Sequence, residues 1–490
     1  MRPVRWILVT LDLVLAVVAC AQVPFSLDTT FRTEIVEQYV NSIAPMADGS
    51  VLLSGQIKFP GDMYVRGSAK VLANGQRDLA FPMFPGTTGG GRLTQWNTKY
   101  YVAVGQTVRR LLGSGLIDPS FIQMNSGPYF GSLQGGGYHV YPDGRLLISG
   151  AHTLSDTARG FEGLYNLIWF SNTGYLDTTR VHRKGNGVVY GFKELPNGQF
   201  ICAGTCTQFD GKAVDWFFRV NIDGTTDTTF RTGVNWGDAF TYLPLNDGRV
   251  YVGGNFRRGV TPQDTLKLVR FLPDGSIDPT FNAPHFTSGM LPAAYGPWIR
   301  EVHAWGTDRL IVTGQFQYAS GQPRRGICMI DTTGALLDVF DDCGVGPFTY
   351  MTSTYASVSG IIPDADSTHY YIWGAYTGYS DGVTNDTLQR FVTRLNVGDI
   401  GMGQEQPFGR LRATMQVYPN PTSGSATLQL DALPRNATFV VRDALGREVQ
   451  RRRITDHYTT LALPDKRSGV FTVEVWDESG RIATERLVIE

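Results

Sequence analysis

The chain repeats itself, and the repeat constrains its fold more than any other feature. A turn followed by an apolar run ending in glycine reads Asp48-Gly49-Ser50-Val51-Leu52-Leu53-Ser54-Gly55. It returns from Asp143-Gly144 to Gly150, from Asn197-Gly198 to Gly204 and from Asp247-Gly248 to Gly254, with looser copies ending at Gly105, Gly314 and Gly374. Successive end glycines are 45 to 60 residues apart. A second unit, a hairpin turn followed by Asp-x-x-Phe, is clearest in Asp274-Gly275-Ser276-Ile277-Asp278-Pro279-Thr280-Phe281. It recurs at Asp118–Phe121 and Asp227–Phe230, and in degraded form at positions 78, 177 and 338. Asn/Asp-Gly pairs supply the positive φ that two-residue hairpin turns need.

Each period therefore holds two hairpins, with strands expected near 239–245, 249–253, 266–272 and 276–281 in the cleanest copy. A lone four-stranded unit would expose both faces, whereas stacking units in a ring buries them and leaves only short edges. Seven copies predict an all-β chain whose main domain, residues 22–396, is a seven-bladed β-propeller of four-stranded blades. The ends of the repeat support closure. Phe25-Ser26-Leu27-Asp28-Thr29-Thr30-Phe31 is a last strand without the first three, and Phe391–Asn396 is a third strand without a fourth. The first segment is expected to complete the final blade. The Asp-Gly-x-x-Asp-x-x-Phe units resemble the delta-60 repeat of bacterial propeller-like proteins, a resemblance that implies a fold and carries no defined activity.

Residues 397–412 are Gly- and Gln-rich and read as a linker, and the segment after it, 413–490, holds seven short strand-like runs. Alternation of Phe471, Val473 and Val475 with Thr472, Glu474 and Trp476 turns one face inward. That pattern suits a small Ig-like β-sandwich. Val417-Tyr418-Pro419-Asn420-Pro421-Thr422-Ser423-Gly424, Asp443-Ala444-Leu445-Gly446-Arg447 and the terminal Arg486–Glu490 resemble the C-terminal sorting domain of the Bacteroidota type IX (Por) secretion system. The sorting motif residues are Tyr418, Pro419, Asn420, Pro421, Gly424 and Gly446. The resemblance implies handling by the type IX secretion machinery and a secreted or outer-surface location.

The first 21 residues agree with export: Arg2 and Arg5, a largely apolar run from Trp6 to Val18, then Ala19-Cys20-Ala21. This pattern predicts a signal peptide cut between Ala21 and Gln22, with a lipobox ending at Cys20 as the rival reading. After Ala21 no apolar run is long enough for a transmembrane span. Four cysteines remain, Cys202, Cys206, Cys328 and Cys343. Strand spacing disfavours a Cys202–Cys206 bridge. A Cys328–Cys343 bridge and buried free thiols both stay open.

With 43 Lys+Arg against 44 Asp+Glu, no strong field exists to gather nucleic acid. No His-Glu-x-x-His, nucleophile elbow or phosphate loop is present, so no catalytic residue, metal or cofactor is expected. Asn221–Asp227 superficially resembles a calcium loop but reads better as the repeat's own turn. Two long aromatic connections are expected to reach a ligand: one carries Tyr129 and Phe130, the other Phe286, Tyr295 and Trp298. The leading functional expectation is a non-catalytic surface propeller binding a glycan or protein ligand. The runner-up is an extracellular glycan-active hydrolase or lyase, which requires two carboxylates converging in one pocket.

Overall fold

The computed structural model describes residues 25–82, 90–123, 130–261, 264–289, 296–365, 367–398, 415–423, 425–430, 437–443, 447–462, 468–477 and 480–489. Strands dominate, with one three-residue 3-10 helix at Thr157–Arg159 among the described residues. The predicted cleavage pair Ala21 and Gln22 lies outside them, as do most of the predicted linker, Gly424 and Gly446.

From residue 25 to 397 the chain forms successive antiparallel sheets in which sequence neighbours pair. The first sheet is Glu37–Pro45, Val51–Lys58 and Arg66–Val71; the second is Leu93–Trp96, Lys99–Val104 and Thr107–Leu112. The third is Phe130–Val140, Leu146–Asp156 and Phe161–Phe170. The fourth is Val189–Glu194, Phe200–Gly204, Phe217–Val220 and Thr226–Asp227. Trp236–Pro244, Val250–Arg257 and Thr265–Phe271 make the fifth; Trp298–Trp305, Arg309–Gln315 and Ile327–Asp331 make the sixth. The last sheet contains Ser357–Pro363, His369–Ser380 and Asn385–Val397.

The opening strand of the chain completes that last sheet. Phe25–Leu27 pairs antiparallel with Asn385–Val397 in the register Phe25↔Val397, Ser26↔Asn396 and Leu27↔Leu395. The first and last sheets also share one core, in which Phe31, Val40 and Leu53 pack with Tyr371, Trp373 and Phe391. The ring closes.

The Asp-x-x-Phe motif is the staple between neighbouring sheets. In the fifth sheet, Asp278 Oδ1 accepts from the Thr280 amide at 2.9 Å and its hydroxyl at 2.7 Å, which caps the turn. Its Oδ2 accepts from Arg270 Nε at 2.7 Å, and the Arg270 guanidinium lies 5.3 Å over the Phe281 ring. The same Arg270 donates through Nη1 to the Thr332 carbonyl, 2.7 Å away in a hairpin turn of the sixth sheet. The pattern recurs in Arg110–Asp118 reaching Asn172 O and in Arg219–Asp227 reaching Pro273 O. Arg394 bonds Asp28 and then Ala73 O, so the last sheet is stapled to the first in the same way. The turn glycine belongs to this joint. Gly275 has φ +90°, and a Cβ there would meet the Arg231 backbone of the preceding sheet at 2.7 Å.

Burial alone would raise the Asp278 carboxyl, but its bonds to Thr280 and Arg270 outweigh that and hold it well below the usual carboxylate range. Stability from such a depressed group is present above its unfolded pKa and is lost as pH falls through the folded value. Both Arg270 and Asp278 are buried. Asp278→Ala is therefore expected to strand the guanidinium and cost about 3–5 kcal/mol in urea unfolding. Asp274→Ala, in the exposed turn next to it, should cost about 1 kcal/mol or less. Equal effects at the two positions would remove the staple from the account.

Two expectations change in the structure, and one left open is decided. Outside the last sheet, which Phe25–Leu27 completes, the fourth strand of a repeat is cut to almost nothing: a single bridge such as Phe271↔Ile277 or Leu111↔Ile117, or the two-residue Thr226–Asp227. The Asp cap bends the chain away immediately afterwards. Gly105 is not an equivalent of the other end glycines. At Gly254 a Cβ would meet Asp238 O at 2.1 Å, because the sheet's first strand presses against it, whereas Gly105 lies in an open hairpin turn with nothing within 4 Å. Lastly, Cys202, Cys206, Cys328 and Cys343 all carry free, buried thiols. The Asn221–Asp227 segment is a turn, with Asp223 Oδ1 occupied by Thr225.

The C-terminal unit has two sheets, one of Met415–Tyr418, Ser425–Leu430 and Tyr458–Ala462. The other contains Thr438–Arg442, Glu448–Arg453, Gly469–Asp477 and Gly480–Ile489. Val417 and Leu428 from the first face Phe439, Val441, Val473 and Leu487 from the second across one core. Glu448–Arg453 is an edge strand, and its exposed Arg451-Arg452-Arg453 discourages further pairing. Asn420 has a clear structural role. Its side chain donates to Arg486 O at 2.5 Å and accepts from the Val488 amide at 2.8 Å, clamping the Tyr418–Pro421 segment to the final strand.

Candidate functional site at the ring mouth

The first strands of several sheets carry an extra residue at the same place. Register breaks between Val189 and Gly191, and between Ala239 and Thr241, make Tyr190 and Phe240 bulge residues. Gly314 abuts Trp298 O and the Ile299 Cα just as Gly254 abuts Asp238 O and the Ala239 Cα, which puts Arg300 at the equivalent position in the sixth sheet. A bulge re-aims a side chain out of the alternating pattern. Tyr190, Phe240 and Arg300 thus occupy equivalent positions on the fourth, fifth and sixth sheets, with Trp236 and Trp298 at the beginning of their strands.

These aromatics are unusually open: Tyr190 and Trp236 are 40% exposed and Phe240 is 37% exposed. The Phe240 and Trp298 rings are 5.7 Å apart, and the Arg300 guanidinium lies 4.5 Å over the first and 5.0 Å over the second. Arg257 sits 4.6 Å over Trp236, and its buried Nε has no hydrogen-bond partner.

Charged groups continue along the same strands. Glu301 Oε2 crosses to the last sheet and accepts from the Ile361 amide at 2.9 Å, in space that a side chain at Gly360 would fill. Burial pushes the Glu301 carboxyl up to about 7, against the opposing pull of the Ile361 amide and Lys193. Lys193 is lowered by burial and by Arg92, while Glu194 and Glu301 draw it back. Solvent reaches the Lys193 side chain although protein surrounds it. Glu194 is raised by burial. Burial, Arg92 and Lys193 hold His139 down to about 4, so its 3.4 Å approach to Glu194 is a contact of a neutral ring and not an ion pair. Lys193 on the fourth sheet thus feels the charge of Arg92, which leads into the second, and of Glu301 on the sixth.

Of the ligand residues expected from sequence, Tyr129 and Tyr295 lie outside the described residues. Phe130 and Phe286 are core residues, packed at 5.6 Å on Phe170 and 4.9 Å on Phe316 respectively. Trp298 stands at the mouth. Sequence reading passed over Tyr190, Trp236, Phe240, Arg300 and Glu301. One signal was available: Tyr190, Phe240 and Arg300 each stand 14 residues before an end glycine, Gly204, Gly254 and Gly314. Among the described residues, no group of three or more His, Cys, Asp or Glu side chains is placed to hold a metal ion.

Residues 245–281 match the family described as a domain of unknown function (DUF5122) β-propeller. They span the turn, strands and Asp-x-x-Phe staple of the fifth sheet. Residues 416–490 match the secretion system C-terminal sorting domain, the Por secretion tail. The chain is a β-propeller protein carrying a type IX sorting domain, and that domain marks it as secreted or displayed at the outer surface. No helix among the described residues is long and apolar enough to cross a membrane. No curated protein matches the chain.

Among solved structures, the chain is similar to the extracellular domain of BT4673 from B. thetaiotaomicron, at 10% identity and TM-score 0.38. That similarity covers 94% of this chain but 59% of the other, so this chain spans under two thirds of its length. It is also similar to PorZ, a surface component of the type IX secretion system of Porphyromonas gingivalis. The identity is 11% and the TM-score 0.26, over 92% of this chain and 81% of that one. The WD40 domain of Neurospora crassa Pan2 matches at 11% identity and TM-score 0.38, over 77% of this chain and 99% of that one.

Proposed function

We propose that this is a secreted or surface-displayed, seven-bladed propeller with an Ig-like sorting tail, matured at Gln22, that binds a glycan at one mouth of its ring. The observation carrying this reading is the set of exposed aromatic faces on consecutive sheets, Tyr190, Trp236 and Phe240, with the half-buried Trp298 ring 5.7 Å from Phe240. Rigid aromatic surface suits the apolar faces of sugar rings, and bulged strands of a closed ring hold it without loss of side-chain order on binding. A glycan screen with the full mature chain tests it. Tyr190→Ala and Phe240→Ala, at exposed positions, should each weaken binding about tenfold or more with an unchanged melting temperature. Binding that ignores both substitutions, or no glycan bound at all, would remove the mouth from consideration.

A second reading has one specific observation in its favour. Glu194 and Glu301 are carboxyls outside the repeat turns, both on the first strands of their sheets and both raised by burial. A general acid in glycan cleavage needs a carboxyl tuned in that direction. Release of shortened glycan in the same screen, abolished by Glu301→Gln, would replace binding with turnover.

A further inference from the structure

We infer that the slot formed by Phe240, Trp298 and Arg300 takes an anionic substituent of the ligand, a carboxylate or sulfate group borne on a glycan. The inference rests on the mouth being the glycan site and concerns the charge of what binds there.

Arg300 is the point of departure. Its guanidinium is placed over two ring faces, 4.5 Å from the Phe240 centroid and 5.0 Å from that of Trp298. Ring faces attract the cation but accept none of its five N–H donors. Among the described residues Arg300 has neither a hydrogen-bond acceptor nor an ion-pair partner, which separates it from Arg110, Arg219, Arg270 and Arg394. Each of those is consumed by the Asp of a staple. Burial lowers the Arg300 pKa with no carboxylate drawing it back. A half-buried guanidinium stacked on two rings and without an acceptor among the described residues is a rigid fork prepared for a two-oxygen anion.

The carboxylates at this end do not serve as its counter-ion. Glu301 directs Oε2 across to the Ile361 amide. Asp238, two residues before Phe240, is raised by burial with no cation offsetting it. Arg257 over Trp236, its buried Nε unpartnered, provides a second cation beside an exposed ring on the neighbouring sheet. An aromatic platform with the acceptor-free Arg300 and a second cation at Arg257 fits a sugar polymer with acidic substituents better than a neutral one. In a low-dielectric slot the charged contact discriminates strongly.

The test uses the full mature chain and three oligosaccharide series of matched length: neutral, uronic-acid and sulfated, with an acidic peptide as a fourth probe. The acidic glycans should bind at least tenfold more tightly than the neutral series, with affinity falling as salt rises. Arg300→Gln should erase that preference by weakening the acidic series at least tenfold, and Arg300→Lys should restore part of it. The uronic-acid and sulfated arms separate the two sources of negative charge. Equal binding of neutral and acidic series, unmoved by Arg300→Gln, would overturn the anionic inference and leave the aromatic platform standing. Preference for the acidic peptide would overturn it in favour of a protein ligand. Failure of every glycan would instead sink the glycan reading on which the inference rests.

Discussion

A chain beginning at Arg32 instead of Gln22 is expected to lose cooperative unfolding. The missing piece includes Phe25–Leu27, the outer strand of the last sheet, and Phe31, packed where the first and last sheets meet. Phe25, Leu27 and Phe31 are all buried, and burying such side chains contributes about 1.5–3 kcal/mol each. The truncation also removes Asp28, leaving Arg394 bonded to Ala73 O without its carboxylate. Breaking a buried pair from one side costs about 3–5 kcal/mol. It further removes the Leu27 amide that donates to Asp381 Oδ2 at 2.7 Å. The combined loss is on the order of 10 kcal/mol, comparable to the whole net stability of a typical domain. Calorimetry should show a broad transition or none, with dye binding to exposed apolar surface, and a peptide of residues 22–32 added in trans should restore the native transition. An open stack of sheets would behave otherwise, because losing its outermost terminal strand would leave every other interface intact. A truncated chain that melts at the original midpoint would therefore refute ring closure.

The ring was readable because its determinants are local. Turn glycines, the apolar run before Gly254 and the Asp-x-x-Phe unit are contiguous in sequence and recur. The split repeat at Phe25–Phe31 and Phe391–Asn396 announced the closing pair that the register Leu27↔Leu395 realises. What the conserved-looking Asp does was less accessible. Its partner stands on the adjacent strand, eight residues earlier in Arg110–Asp118, Arg219–Asp227 and Arg270–Asp278, and at the far end of the chain in Arg394–Asp28. A hairpin spacing fixes the first three, but only a closed ring supplies the fourth. The fourth strands were overestimated because alternation in Ser276–Phe281 looks like a strand, while the Asp278 cap ends the pairing after one bridge.

The mouth was less readable still. Aromatic loops suggest ligand contact, yet aromatic content alone does not say whether a ring turns outward. Phe130 and Phe286 turn inward onto Phe170 and Phe316, while Tyr190 and Phe240, within what read as ordinary strands, turn outward. The bulge decides this. It inserts one residue and breaks the period of two on which inward and outward assignments depend. Glu301 shows the same limit from the other side. Burial raises its carboxyl while Lys193, two sheets away, pulls it back, a proximity that follows from ring geometry and leaves no local trace.

Removing residues 411–490 is expected to hold the protein inside the cell while leaving the propeller folded. The C-terminal core draws on Met415, Val417, Leu428, Phe439, Val473, Leu487 and Ile489, all within the segment that matches the sorting domain or next to it. Among the described residues, the propeller's cores draw on side chains between Phe31 and Val392. Circular dichroism and protease resistance of the truncated chain should match those of the intact propeller, which separates failed export from failed folding. Asn420→Ala gives a finer test. It deletes one bond to the Val488 amide and one to Arg486 O, exposed bonds of a kind worth about 0.5–1.5 kcal/mol each. The substitution should loosen the last strand from the Tyr418–Pro421 segment and lower the exported fraction without affecting the propeller's melting. If the clamp were merely structural, a second change that restores tail stability elsewhere, such as filling the core at Ala426, would recover export in the Asn420→Ala background. If the machinery reads the clamped segment itself, stability would return and export would not. Normal surface delivery of the 411–490 deletion would refute the assignment of export to this tail.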